Sequence, residues 1–316
     1  MAIVSKENTE FINDNFILII SGLPSTGKST LALSAPDVLW VDTDKGVRRV
    51  KAEHRKDRTT PDTYEELLED IRSAKGKYKT IAIDTCGALI ELMKDWIVRN
   101  PQEFPKGAKN SGGISLQGFG FVKQEFIRLS SELRKDFNVI YVFHEQMERN
   151  GEEVFYSIVC EGAARTLVFQ PADLAMHLVI QNGKRYAAFT PTEQYFAKSS
   201  YGISGLIGIP ELKDGDPNDF LTKLFEKVRE NLKAESAVLA PQQKAYDDLM
   251  ASVPGIMEAI TDAESANQFA GVLDTLPHAM TSKKEIGAIY KARCKEIGLT
   301  WDGKKKAWVA GDAKQE

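Results

Sequence analysis

The sequence predicts an α/β fold on a mostly parallel sheet with an antiparallel extension, followed by a small helical C-terminal region. Short apolar runs alternate with amphipathic helical segments as far as His144, the pattern of strands joined by right-handed crossovers. Residues 22–29, Gly-Leu-Pro-Ser-Thr-Gly-Lys-Ser, join the first apolar run to a helix. Asn150-Gly151 and Asn182-Gly183 then punctuate β-rich runs, as two-residue hairpin turns do.

The elements follow in order. Phe16 to Ile20 is continuously apolar, as a strand buried on both faces must be. Ser29 to Ser34 continues as a short helix that Pro36 ends. Val38 to Val41 reads as a second buried strand, closing on Asp42-Thr43-Asp44. Thr63-x-x-Glu66 is a capping box, and Tyr64, Leu67, Leu68 and Ile71 share one helical face behind it. Lys79 to Asp84 is a third strand, and Ala88 to Trp96 a helix. A polar, glycine-rich loop spans 101–118, and Val122, Phe126, Leu129 and Leu133 mark the next helix. Asn138 to Phe143 is a fourth strand ending at His144, and 146–210 should add antiparallel strands. Phe220 to Leu232 reads as a helix and 234–243 as a linker. Thr261-x-x-Glu264 and Ser282-x-x-Glu285 are two further capping boxes, and Asp302-Gly303 suggests a closing hairpin. The expected division is a core over 1–233 and a helical region with a basic terminal hairpin over 234–316.

The spacing G-x-x-x-x-G-K-S has a chemical reason. Gly22 and Gly27 allow backbone angles that side chains forbid, so the loop through Pro24, Ser25 and Thr26 can turn its N–H groups onto phosphate. Lys28 then reaches the β and γ phosphates, the Ser29 hydroxyl ligates magnesium, and the helix at Thr30 offers its positive end to the same anion. The expected ligands are therefore a purine nucleoside triphosphate and Mg²⁺; the loop does not choose between ATP and GTP, although no N-K-x-D guanine-reading motif is present.

A phosphate loop needs a second acid for the metal shell. Ile81-Ala82-Ile83-Asp84 supplies one at the carboxyl end of a strand, where open α/β sheets bind ligands. A water molecule must also be oriented or deprotonated. Asp44 is the first candidate and Asp42 the second; turn capping is the competing role for both. His144, at the end of the fourth strand, is placed to contact the γ-phosphate, with a purely structural histidine as the alternative.

Composition narrows the class. The 316 residues carry a net charge of −4, so the chain as a whole does not advertise nucleic-acid binding. No apolar run has transmembrane length, and the first residues lack a signal-peptide core, so no membrane role is expected. Cys86, Cys160 and Cys294 are far apart and fit no metal or disulfide spacing, which suits a reducing cytoplasm. Three local basic surfaces could still meet DNA: 48–58, the 106–113 loop, and Lys304 to Lys306 between Trp301 and Trp308.

Gly22 to Thr30, Val41 to Asp44, Ile81 to Thr85 and Val142 to Glu145 stand in the order of RecA-like ATPases, and the chain resembles compact phage and prophage nucleotide-binding proteins with such a core. The resemblance covers about residues 14 to 230. It implies Mg-ATP hydrolysis, single-stranded DNA as partner in recombination, annealing or replication, and a homo-oligomer with nucleotide near the subunit interface. It also implies a phage-encoded protein in a bacterial host, which could meet a single-strand-binding or replication protein. Asp44 occupies the place of the family's glutamate and His144 that of its glutamine-type sensor. Phe196-Ala197-Lys198 resembles the A-K-x-R segment, with Ser200 replacing the arginine. Two other classes stay open: a nucleotide-switched adaptor or loader, and a small-molecule kinase, although 101–118 holds no arginine for a lid.

Overall fold

The computed structural model describes residues 15–160 and 169–311; the extreme N-terminal residues considered above lie outside the described part. The chain divides into two compact units, one extending to Asn231 and the other beginning at Leu232.

The first unit is a nine-stranded mixed sheet, counted over the described residues, with helices. Its strands are β1 (Ile17–Gly22), β2 (Val38–Asp42), β3 (Arg58–Thr59), β4 (Thr80–Asp84), β5 (Asn138–Asn150), β6 (Glu153–Ile158), β7 (Leu174–Gln181), β8 (Lys184–Ala188) and β9 (Leu206–Ile209). The order is β3-β2-β4-β5-β1-β7-β8-β9, with β6 paired to β5. β1, β2 and β4 are buried at every position, which is why they read as unbroken apolar runs. The helices are α1 (Lys28–Ala32), α2 (Tyr64–Ala74), α3 (Cys86–Arg99) and α4 (Leu116–Asp136). Leu67, Ile71, Leu89, Met93, Val122 and Phe126 form one apolar cluster with sheet residues Ile81, Ile83, Val139 and Tyr141. Thr63, Thr85 and Ser115 cap α2, α3 and α4 by accepting a backbone N–H, each satisfying a donor the helix leaves open.

Several expectations are corrected here. β5 does not end at His144 but runs on to Asn150, where Gly151 turns it into β6. The antiparallel extension is real for β6, β8 and β9, but β7 runs parallel to β1, with Leu18 opposite Leu174. α4 starts at Leu116, shortening the 101–118 loop, because Ser115 accepts from Gly118 N at 2.9 Å. In the 63–66 capping box only the threonine half forms; the Glu66 carboxylate accepts from Asp62 N instead.

α5 (Phe220–Glu258) is one continuous helix containing Pro241 and Pro254, so 234–243 is helical and not a linker. The second unit continues with α6 (Ala263–Val272), α7 (Ser282–Glu296) and the hairpin β10 (Leu299–Asp302) and β11 (Ala307–Ala310). Val253, Met257, Phe269, Ile286, Tyr290 and Trp308 make its core. The first capping box is displaced by one residue: Asp262 caps α6, and Ser265 answers it. The second does not form; the Ser282 hydroxyl instead accepts from Ala279 N.

Candidate nucleotide site

The carboxyl ends of β1, β2, β4 and β5 converge on a cleft of about 410 Å³. Pro24, Ser25, Gly27, Lys28, Ser29 and Thr30 form one wall, and Asp44, Arg49, Asp84 and His144 face them. Gly27 sits at φ 88°, the left-handed region where glycine carries no steric cost. A Cβ on Gly27 would also come 2.5 Å from the Arg185 guanidinium, so that arginine lies directly over the loop. Gly22 is tight for another reason: a Cβ there would meet the Thr26 hydroxyl at 3.0 Å and Leu178 at 3.1 Å.

Lys28 is only 4% exposed, and its ammonium donates to the Gly22 carbonyl at 2.9 Å and the Leu23 carbonyl at 2.8 Å. Burial pulls its pKa down, and the nearby Asp84 and Glu145 carboxylates oppose that. Asp84 is 3% exposed and lies beside the Ser29 hydroxyl. Burial pushes the Asp84 carboxyl up; the Ser29 hydroxyl opposes this, and the charges of Asp44 and Asp42 reinforce it. The peptide bond between Asp84 and Thr85 is cis.

The two candidate bases separate cleanly. Asp42 is fully buried and accepts from Gly46 N at 2.7 Å and Val47 N at 3.1 Å. It caps the turn after β2 and does not line the cleft. Asp44 does line it, 2.9 Å from Arg49 and 3.9 Å from His144 Nε2. Burial alone would push the Asp44 carboxyl up, but His144 and Arg49 outweigh it and hold it below the ordinary range.

Three contributors escaped the sequence reading. Arg49 belongs to a basic stretch that reads as a candidate DNA surface or a solvated face, yet it turns onto Asp44; its neighbour Lys51 lies 3.6 Å from Glu53 and 3.4 Å from Asp214. Glu145 points to the opposite side of β5 from His144, where it pairs with buried His177 at 2.9 Å. His177, which drew no chemical role from sequence, is also stacked on Tyr195 at 4.1 Å. Arg185 is the third. The alternation of strand side chains carried the only sequence signal for Glu145. Lys198 donates to the Ala172 carbonyl of its own chain.

Oxygen donors from Ser29 and Asp84 suit a hard cation such as Mg²⁺. Among the described residues no group of three His, Cys, Asp or Glu could hold a metal unaided. A magnesium ion would therefore draw most of its shell from phosphate and water, as Mg²⁺ in nucleotide sites does.

A family profile described as an AAA domain matches residues 14–201, more than half of the chain. The chain belongs to this family. The AAA-domain match spans the whole cleft and every strand from β1 to β8, and with the sheet order above it makes the first unit an AAA-type P-loop ATPase domain. Among solved structures, one ATPase domain is similar at 14% identity, covering 62% of this chain and 81% of that chain, with a TM-score of 0.37. No curated protein sequence matches this AAA-domain chain. Among the described residues no helix is long and apolar enough to cross a membrane.

Proposed function

We propose that this chain is a Mg-ATP hydrolase of the RecA type whose turnover is stimulated by single-stranded DNA, in phage-type recombination, annealing or replication. One arrangement carries the reading: Lys28 and Ser29 face Asp84, Asp44 and His144 across a single cleft. Backbone N–H groups and Lys28 bind the triphosphate, and Arg185 adds positive charge above Gly27. Ser29 and Asp84 would hold Mg²⁺, which when bound neutralises charge between the β and γ phosphates. Asp44 accepts the proton of the attacking water, and His144 reaches the γ-phosphate end of the cleft. Hydrolysis measured with and without single-stranded DNA, alongside sizing with nucleotide, tests the proposal. Stimulation and a nucleotide-dependent homo-oligomer support it; an unchanged rate with no DNA retained at low salt overturns the DNA half.

One observation favours a second reading, a slow nucleotide-switched adaptor or loader for a replication protein. Arg49 ion-pairs Asp44 at 2.9 Å, and a carboxylate held below its ordinary range is a weaker base. Nucleotide-dependent capture of a replication protein, without any DNA dependence, would decide for that reading.

A further inference from the structure

We infer that the second unit carries its own single-stranded nucleic-acid site, in which a base stacks on Trp301 and the strand's phosphates lie on Lys291 and Lys295. The inference rests on the DNA partner proposed above but concerns a different part of the chain. A cleft of about 600 Å³ opens between α7 and the terminal hairpin, lined by Tyr290, Lys291, Lys295, Trp301 and Trp308.

The floor of this cleft is fixed. Trp308 is 6% exposed, and its backbone exchanges two hydrogen bonds with the Asn267 side chain, at 2.8 and 2.9 Å. The Tyr290 hydroxyl donates to the Ala266 carbonyl at 2.7 Å. Trp301 is paired opposite Trp308 across the hairpin, rings 5.6 Å apart at 71°, yet it is 53% exposed. A half-exposed indole fixed on a hairpin is a stacking platform, and bases of any sequence stack on aromatic faces.

The cleft itself is lined by cations and by no carboxylate. Lys291 and Lys295 stand one turn apart on α7, so their side chains are neighbours. Neither has an ion-pair partner among the described residues, and neither do Lys304, Lys305 and Lys306 at the hairpin tip. The nearby carboxylates are engaged elsewhere: Glu296 with Arg293 at 3.1 Å, Asp274 with Lys283 at 3.0 Å, and Asp302 with the backbone N–H groups of Lys304 and Lys305. Lys291 and Lys295 beside a half-exposed aromatic ring suit an anion that repeats along a chain and carries flat rings. That is single-stranded nucleic acid, in preference to an acidic peptide, whose charges do not alternate with a flat ring at every repeat.

The test uses the full-length chain and a fluorescein-labelled oligothymidylate, followed by anisotropy over a salt series. Trp301→Ala should weaken binding about 5-fold or more, the alanine-scan range for one stacked base, while Trp301→Phe keeps most of the affinity. The pair Lys291→Ala and Lys295→Ala should flatten the slope of log affinity against log salt by about 1.4, at about 0.7 per phosphate contact on a single strand. Basal ATP hydrolysis without DNA should not change in any of these variants. Wild-type affinity and salt slope in both the Trp301→Ala and the double lysine variants would overturn this site, even if DNA still stimulated hydrolysis. Binding of a labelled acidic, aromatic peptide with no oligothymidylate binding would overturn it in favour of a protein partner. If the unaltered chain retains no oligonucleotide, this site and the DNA half of the proposed function fall together, while ATP hydrolysis stands or falls separately on Lys28.

Discussion

Up to Asn231 the chain buries Lys28, Asp42, Asp84, Glu145 and His177, whereas from Leu232 onward the only buried polar side chains among the described residues are Gln243 and Ser282. Buried ionisable groups cost folding free energy unless they are paired, so a fold retains them mainly where they do chemistry. The first unit accepts that cost at one edge of its sheet for these five, and elsewhere for His54, Lys94 and Glu125. The second is an apolar core of Val253, Met257, Phe269, Ile286 and Trp308 and keeps its cations on the surface. The contrast separates a unit built to change a ligand from one built to hold shape around a surface cleft.

The contrast can be broken most sharply at Lys28. Lys28→Ala should cut ATP turnover by about 100-fold or more, the scale for losing one preorganised charge stabiliser, with circular dichroism unchanged. Unaltered turnover would leave the buried lysine without a catalytic reason. Asp44→Asn should lower turnover by about 100-fold at unchanged nucleotide affinity if Asp44 is the base. A drop below about threefold would make it a mere counter-ion for Arg49. Arg49→Ala sharpens the same point through pH. Arg49 holds the Asp44 carboxyl down, so its removal should move the acid limb of the rate profile to higher pH.

Asp84→Asn tests the cost of buried charge directly. The folded protein raises the Asp84 carboxyl above its unfolded value, so the stability it contributes is complete at acid pH and is lost as pH rises through the folded value. The asparagine variant should therefore melt like the parent at low pH and higher than it at neutral pH; a gain of about 1 kcal/mol corresponds to about 2–4 °C. A lower Tm at neutral pH would mean that Asp84 is held by more than Ser29. The smallest effect is expected in the second unit. Tyr290→Phe removes one hydrogen bond to Ala266 and should cost about 1 kcal/mol, with no effect on ATP turnover.

Much of the fold is legible in the residues. β1, β2 and β4 are buried on both faces, so continuous apolar runs mark them. Asn182 and Gly183 adopt φ 51° and 74°, the paired positive angles that Asn-Gly supplies in a two-residue hairpin. The direction of β7 was not legible, because an apolar run carries no mark of which neighbour it pairs with. The length of β5 was hidden because its second half leaves the core and alternates polar residues, as loops also do. At the candidate site the loop, Ser29 and Asp84 follow from spacing alone. The choice between Asp42 and Asp44 did not, since two acids two residues apart read alike until Gly46 and Val47 claim one of them. Arg49 reaches the cleft from the turn after β2, and Arg185 lies over the loop from β8 by a strand pairing that no local pattern encodes.

The contact of Lys28 with the carbonyls of Gly22 and Leu23 sets the thermodynamics of ligand entry. The ammonium loses its water when the chain folds, not when phosphate arrives. An incoming triphosphate therefore exchanges one set of oxygens for another around a cation already stripped and aimed. The dehydration term falls on protein stability, and the association step is left with a smaller reorganisation to perform.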